Sequence, residues 1–216
     1  MLSRHAEHLF WIGRYVERAE DTARMLDVTY HTLLESPPAE ESSAWRELLE
    51  VLHLDEVFDG EHTAGSISSY LVLNSDNPGS IVSAVSRARD NARSVRDRIS
   101  TELWEAINSF YLELQGMDLT AALRQRPYEV FRMVRLRCQT INGVSAQTMP
   151  RDDGYRFMVL GLMLERAEMT CRLLAVRYAR LARGSHPMWF QAWVSVLKSV
   201  SAFEAYLKEH EAALEP

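Results

Sequence analysis

LFWIGRYVERAEDTARMLDVTY, residues 9–30, decides the fold, because the chain writes it twice. FMVLGLMLERAEMTCRLLAVRY, residues 157–178, follows at a constant offset of 148 without a gap. Ten of the 22 positions are identical: Gly13/Gly161, Glu17/Glu165, Arg18/Arg166, Ala19/Ala167, Glu20/Glu168, Thr22/Thr170, Arg24/Arg172, Leu26/Leu174, Val28/Val176 and Tyr30/Tyr178. Helical patterning accounts for the shared apolar positions. It does not account for a repeated ERAE or for matching Gly, Thr and Arg. Two helices carrying one motif predict a pseudo-symmetric pair, although a period this long is not that of a solenoid.

At 100° per residue, Leu9, Ile12, Val16, Ala19, Ala23, Leu26 and Tyr30 form one stripe with spacings of three and four. Phe157, Leu160, Leu164, Ala167, Cys171, Leu174 and Tyr178 repeat it. These stripes predict a packing seam, with the two helices in contact near Ala19, Ala23, Ala167 and Cys171. Gly13, Glu17, Glu20 and Arg24 share one flank of the seam, as do Gly161, Glu165, Glu168 and Arg172. Arg18 and Arg166 fall on the opposite flank, so neither is expected to pair with the glutamate beside it.

Outward from the repeat, the chain reads as helices and short loops. The expected helices span 3–33, 44–59, 77–114, 127–148, 152–183 and 188–210, with 66–74 open between helix and strand. SPPAEESS (36–43), MPRDDG (149–154) and GSHP (184–187) are the breaks. Asn77 and Pro78 mark a helix start and Gly116 a stop. The fold class is all-α, a bundle of six to seven helices in one domain over 1–216.

Hydrophobic residues make up 47% and charged residues 25%, the balance of a globular chain. No run approaches the ~18 apolar residues of a membrane span, and no signal peptide is expected at the N-terminus. A net charge of −6 gives no overall pull toward nucleic acid. Cys138 and Cys171 lie in apolar stripes and are expected to be buried, unbridged thiols in a reducing, cytoplasmic setting.

The most basic helix is the central one. In SIVSAVSRARDNARSVRDRIS (80–100), Arg89, Arg93 and Arg96 flank one side of the apolar stripe, with Arg87, Asn91 and Arg98 on the other. Arginine suits partly buried carboxylates because its fork is planar and always charged. These arginines are the expected partners of Glu17 and Glu165. An anion site is the second reading of the same residues, and nucleic-acid binding is disfavoured because no aromatic or Gly-rich module accompanies them. The candidate functional cluster is therefore Glu17, Arg18, Glu20, Arg24, Glu165, Arg166, Glu168, Arg172, Arg87, Arg89, Asn91, Arg93, Arg96 and Arg98.

The doubled ERAE, NPGSI…ARDNARSVRDRIS…LWEAIN and the RDDG before the second ERAE together resemble the alpha-E family of bacterial helical proteins. The resemblance covers nearly the whole chain. It implies a neighbourhood of circularly permuted ATP-grasp ligases and transglutaminase-like proteins, and hence a peptide- or amide-bond-forming pathway. Two departures stand out. The family's Gly-Arg-Tyr ahead of the second ER pair is replaced after Gly161 by Leu162 and Met163, leaving Arg14 without a counterpart. Family members also usually continue beyond the point reached by Pro216.

Catalytic constellations are scarce. No Gly-rich phosphate loop, GxSxG, paired CxxC or HExxH is present. Both repeats read Glu-x-x-Glu where di-metal bundles need Glu-x-x-His, so neither metal nor cofactor is expected. Trp104, Trp189 and Trp193 are read as packing or partner-facing aromatics. The expectation is an accessory or binding protein acting with an ATP-grasp-type ligase. The alternative is an enzyme domain using the Glu/Arg cluster for acyl or aminoacyl transfer. A homo-oligomer is left open.

Overall fold

A computed structural model describes residues 2–35, 37–181 and 186–210. Ten α-helices account for most of them, with no strand among the described residues. They are α1 (Ser3–Leu34), α2 (Glu41–Leu52), α3 (Ala64–Val72), α4 (Ile81–Ser94), α5 (Thr101–Gly116), α6 (Leu119–Gln125), α7 (Pro127–Thr148), α8 (Asp153–Leu181), α9 (His186–Ser199) and α10 (Phe203–Glu209). A 3₁₀ turn at Pro38–Glu40 leads into α2. The all-α class holds, and the helix number exceeds the six or seven expected. The ambiguous 66–74 segment is helical, the expected last helix divides into α9 and α10, and the expected helix over 44–59 is the shorter α2. Gly184 and Ser185 of the GSHP break, and the side chain of Trp189, lie outside the described residues.

The long central helix expected over 77–114 is two helices. Asn77 does not cap it; its Oδ1 accepts from Gly79 N–H at 2.9 Å, closing a turn one residue ahead of the true cap, Ser80. Ser80 Oγ accepts from Ser83 N–H at 3.2 Å. α4 then stops at Ser94, and Ser100 opens α5 by accepting from Leu103 N–H at 3.1 Å. The Ser100 hydroxyl also bonds the Thr148 hydroxyl at 2.6 Å, tying the cap to α7. Serine competes with helical backbone in this way, which favours it at caps over helix interiors.

The chain divides into two compact units. The first comprises 1–24 and 65–167, and the second 25–64 and 168–216. In the first unit, the apolar stripe of α1 is core: Leu9, Ile12, Val16, Ala19 and Ala23 are buried with Val85, Ala88 and Ala92 of α4, Leu103, Ile107 and Phe110 of α5, and Phe131, Val134 and Cys138 of α7. In the second, Trp45 is fully buried and meets the Tyr30 ring edge-on at 5.2 Å. Buried Glu47 of α2 is ion-paired with Arg177 of α8.

The matching stripe of α8 behaves differently. Phe157, Leu160, Leu164, Leu174 and Tyr178 are exposed, as are Ala167 and Cys171. The buried face of α8 is instead Gly154, Met158, Gly161, Glu165, Met169 and Leu173. The expected contact through Ala167 and Cys171 is therefore overturned, although the two ERAE helices do meet. Cys171 is an exposed thiol, against the expectation that both cysteines are buried; Cys138 is buried, and neither is bridged.

Candidate functional site

The meeting point of the ERAE helices is a pair of glycines. A Cβ built on Gly13 would collide with the Met158 carbonyl oxygen and lie 2.8 Å from Leu162 N. A Cβ on Gly161 would collide with the Phe10 carbonyl oxygen and lie 3.2 Å from Arg14 N. Phe10 and Met158 are themselves related by the 148-residue offset, so the contact obeys the pseudo-two-fold of the sequence. α1 and α8 run in the same direction through it, and only glycine lets the backbones approach this closely.

One turn on, the glutamates and arginines interlock across the pair. Arg18 grips Glu165 with both arms of its fork, Nε to Oε1 at 2.7 Å and Nη2 to Oε2 at 3.0 Å. Its repeat equivalent, Arg166, donates through Nε to Glu17 Oε1 at 2.5 Å. Each ER pair is thus split: the glutamate of one helix is held by the arginine of the other. Glu17 is 1% exposed and Glu165 4%, so these are buried charges that need such partners. Within each helix the second glutamate pairs one turn on, Glu20 with Arg24 and Glu168 with Arg172. Glu20 also accepts from Gln139 Nε2 of α7 at 3.0 Å.

The arginines expected to hold Glu17 and Glu165 are engaged elsewhere. Arg89 donates to Asn108 at 3.0 Å and lies 4.6 Å over the Tyr111 ring. Arg96 lies 5.1 Å over Trp104, and Arg87 5.9 Å over Tyr15. Arg98 pairs with Asp97, and Arg93 is exposed. Asn91 accepts from the His8 ring at 2.7 Å. The central helix fails as partner because the glycine crossing brings α8 close enough for Arg18 and Arg166 to reach across first.

Three residues were not anticipated. Arg14 is ion-paired with Glu165, giving that carboxylate a second contacting arginine beside Arg18. Asp21, whose repeat equivalent is Met169, adds a third carboxylate beside Glu17 and Glu20. Burial and the charges of Glu17 and Glu20 lift its carboxyl well above the usual range. Glu17 is also raised, by burial, against the pull of Arg166. Asp21 Oδ2 and Glu17 Oε2 are buried without a hydrogen-bond partner. Gln139, the third residue, sits beside Cys138, whose thiol is pushed far up by burial and by these carboxylates, a protonated group and a poor nucleophile.

Among the described residues no cluster of His, Cys, Asp and Glu is arranged to hold a metal ion. A groove of about 440 Å³ lies along Met117, Ala122, Gln125, Arg126, Glu129, Val130 and Met133, at the turns joining α5, α6 and α7. None of the fourteen candidate residues lines it.

The sequence pattern of the Alpha-E family, described as a predicted alpha-helical domain with a conserved ER motif, matches residues 1–216. The chain belongs to the Alpha-E family. Uncharacterised proteins of Mycobacterium bovis and Mycobacterium tuberculosis are 29% identical to it over 208 residues, and one from another tuberculosis strain is 28% identical. The matches cover 85% of this chain and 23% of each relative, so the chain spans about a quarter of the length of the curated relatives it matches. No solved structure matches. In this Alpha-E chain the ER dipeptide occurs twice, and its two copies complete each other. Among the described residues, no helix is long and apolar enough to cross a membrane.

Proposed function

We propose that this Alpha-E chain is a non-catalytic helical binding or accessory protein, acting with an ATP-grasp-type ligase in a peptide- or amide-bond-forming pathway in the cytoplasm. The observation that supports the non-catalytic part is the engagement of the ERAE carboxylates. Glu17, Glu20, Glu165 and Glu168 are each held by an arginine, and the first three are buried. The pairs of Glu17 and Glu165 join two helices, and the carboxylates of Glu20 and Glu168 are taken up within their own helices. The ligase partnership rests on the family resemblance, and the two unbridged thiols suit a reducing compartment.

The test is co-purification of the tagged chain with an ATP-grasp ligase from the same genome, using Arg18→Lys and wild type at matched stability. Retention of the ligase by wild type supports the reading, and failure of any ligase to associate counts against it. One observation favours the enzyme alternative: the unpartnered Asp21 Oδ2 beside a raised carboxyl, a group that holds a proton to donate. Turnover of an acylated or aminoacylated substrate by the chain alone, abolished in Asp21→Asn, would establish that alternative.

A further inference from the structure

The groove at the turns joining α5, α6 and α7 lies wholly within the first unit and takes no part in the ERAE clasp. At about 440 Å³ it has the size of a small-molecule site. Met117, Val130 and Met133 give it an apolar wall, and methionine adapts to whatever shape is laid against it. Two opposite charges and one carboxamide share the lining: Arg126, Glu129 and Gln125. Arg126 Nη1 donates to Glu129 Oε1 at 3.3 Å across the first turn of α7. Their side chains are 65% and 50% exposed, and a pair this open to water separates at little cost. We infer that this groove binds a free aliphatic α-amino acid, its carboxylate on Arg126, its ammonium on Glu129 and its side chain against Met117, Val130 and Met133. The assignment does not rest on the ligase partnership.

The two charges select the zwitterion. A monoanion gains Arg126 but meets the like charge of Glu129, and a monocation meets the reverse. A neutral molecule gains neither and leaves the arginine and the glutamate to each other. An α-amino acid carries both charges one carbon apart, so it can replace the Arg126–Glu129 contact with two contacts of the same sign pattern and leave no charge unmatched. No side chain caps α7, so the positive end of that helix adds to Arg126 in favouring a carboxylate. The Gln125 carboxamide can donate to the carboxylate or accept from the ammonium. The apolar wall then rewards a side chain of several carbons, whereas glycine would gain the polar contacts alone.

Isothermal titration calorimetry of the whole chain with L-leucine tests the site. A dissociation constant on the order of 0.1–1 mM is expected for so small a ligand. N-acetyl-L-leucine lacks the ammonium, L-leucinamide lacks the carboxylate and glycine lacks the side chain; each should bind at least about 10-fold more weakly. Arg126→Gln and Glu129→Gln should each weaken L-leucine by about 10-fold or more, with circular dichroism unchanged. Glu129→Gln should also bind N-acetyl-L-leucine more tightly than wild type does, because the charge that repels it is gone, and a merely structural Glu129 would not produce that gain. Arg132→Gln, exposed on α7 and outside the lining, should leave L-leucine binding unchanged. No binding of L-leucine at about 10 mM overturns the proposal. So does N-acetyl-L-leucine or L-leucinamide binding as tightly as L-leucine, an affinity that Arg126→Gln leaves intact, or an equal loss in Arg132→Gln.

Discussion

Arg18 and Arg166 occupy equivalent motif positions but face unequal consequences of loss. Glu165 is also ion-paired with Arg14, whereas Glu17 is held by Arg166 with its second oxygen unpartnered. Arg166→Gln is therefore expected to strand a carboxylate and cost about 3–5 kcal/mol. Arg18→Gln should cost about 1–2 kcal/mol, since Arg14 remains on the same carboxylate. Urea unfolding of the two variants checks the order, and equal losses would remove the proposed asymmetry. Asp21 gives a pH signature. Its carboxyl is raised in the fold, chiefly by burial, so the folded chain binds its proton more tightly than the unfolded chain. That contribution is fully present below the ordinary aspartate range and is lost as pH rises through the elevated folded value. Thermal melts of Asp21→Asn should show a flatter decline in stability above about pH 4 and a higher melting temperature near neutrality. At this scale the sequence identified Glu17 and Glu165 as charges beside a seam, needing arginines from outside their own helix. It did not lead to Arg18 and Arg166, because flanks were assigned on isolated helices. Where two backbones touch at glycine, both flanks of one helix lie within reach of the other.

The glycine crossing makes its own prediction for the element it joins. Gly13→Ala or Gly161→Ala forces a methyl against carbonyl backbone that cannot rotate away, and each should cost about 3 kcal/mol or more. Gly143→Ala is the internal control, because its added Cβ meets nothing within 4 Å and it lies within a helix; that change should be neutral or stabilising in the same denaturant melts. Ser100→Ala removes both the α5 cap and the bond to Thr148, for an expected loss of about 1–2 kcal/mol. The same features explain what the helix reading missed. The α4–α5 break has no proline or glycine between Val95 and Ser100, only a hydroxyl able to cap, so apolar periodicity ran through it. The buried face of α8 was misassigned because periodicity scores Gly161 and Glu165 as non-core. In this helix those two residues make the closest contact and the deepest ion pair.

For the whole molecule, the repeat was the most informative feature of the sequence. It gave the fold class, the helix pair and the family. The division into two compact units has boundaries at Arg24/Met25 in α1, Ala64/Gly65 at the start of α3 and Ala167/Glu168 in α8; it left no trace in composition, because continuous helices run through the first and the last of them. Thiol chemistry provides a global check: Cys138 should react only on unfolding, since its thiol is buried and its ionisation opposed by nearby carboxylates. A fast-reacting second thiol in the folded chain would contradict the burial of α7. The glycine crossing also sets where the chain can change length. Gly13 and Glu17 must lie one turn apart, as must Gly161 and Glu165, because contact and ion pair share a face. A single inserted residue between either pair turns the glutamate by about 100° away from its arginine. Insertions in the connections at 53–63 or 73–79 leave both turns intact. Length variation among sequences that keep this clasp should therefore fall in the connections and be missing from residues 13–18 and 161–166.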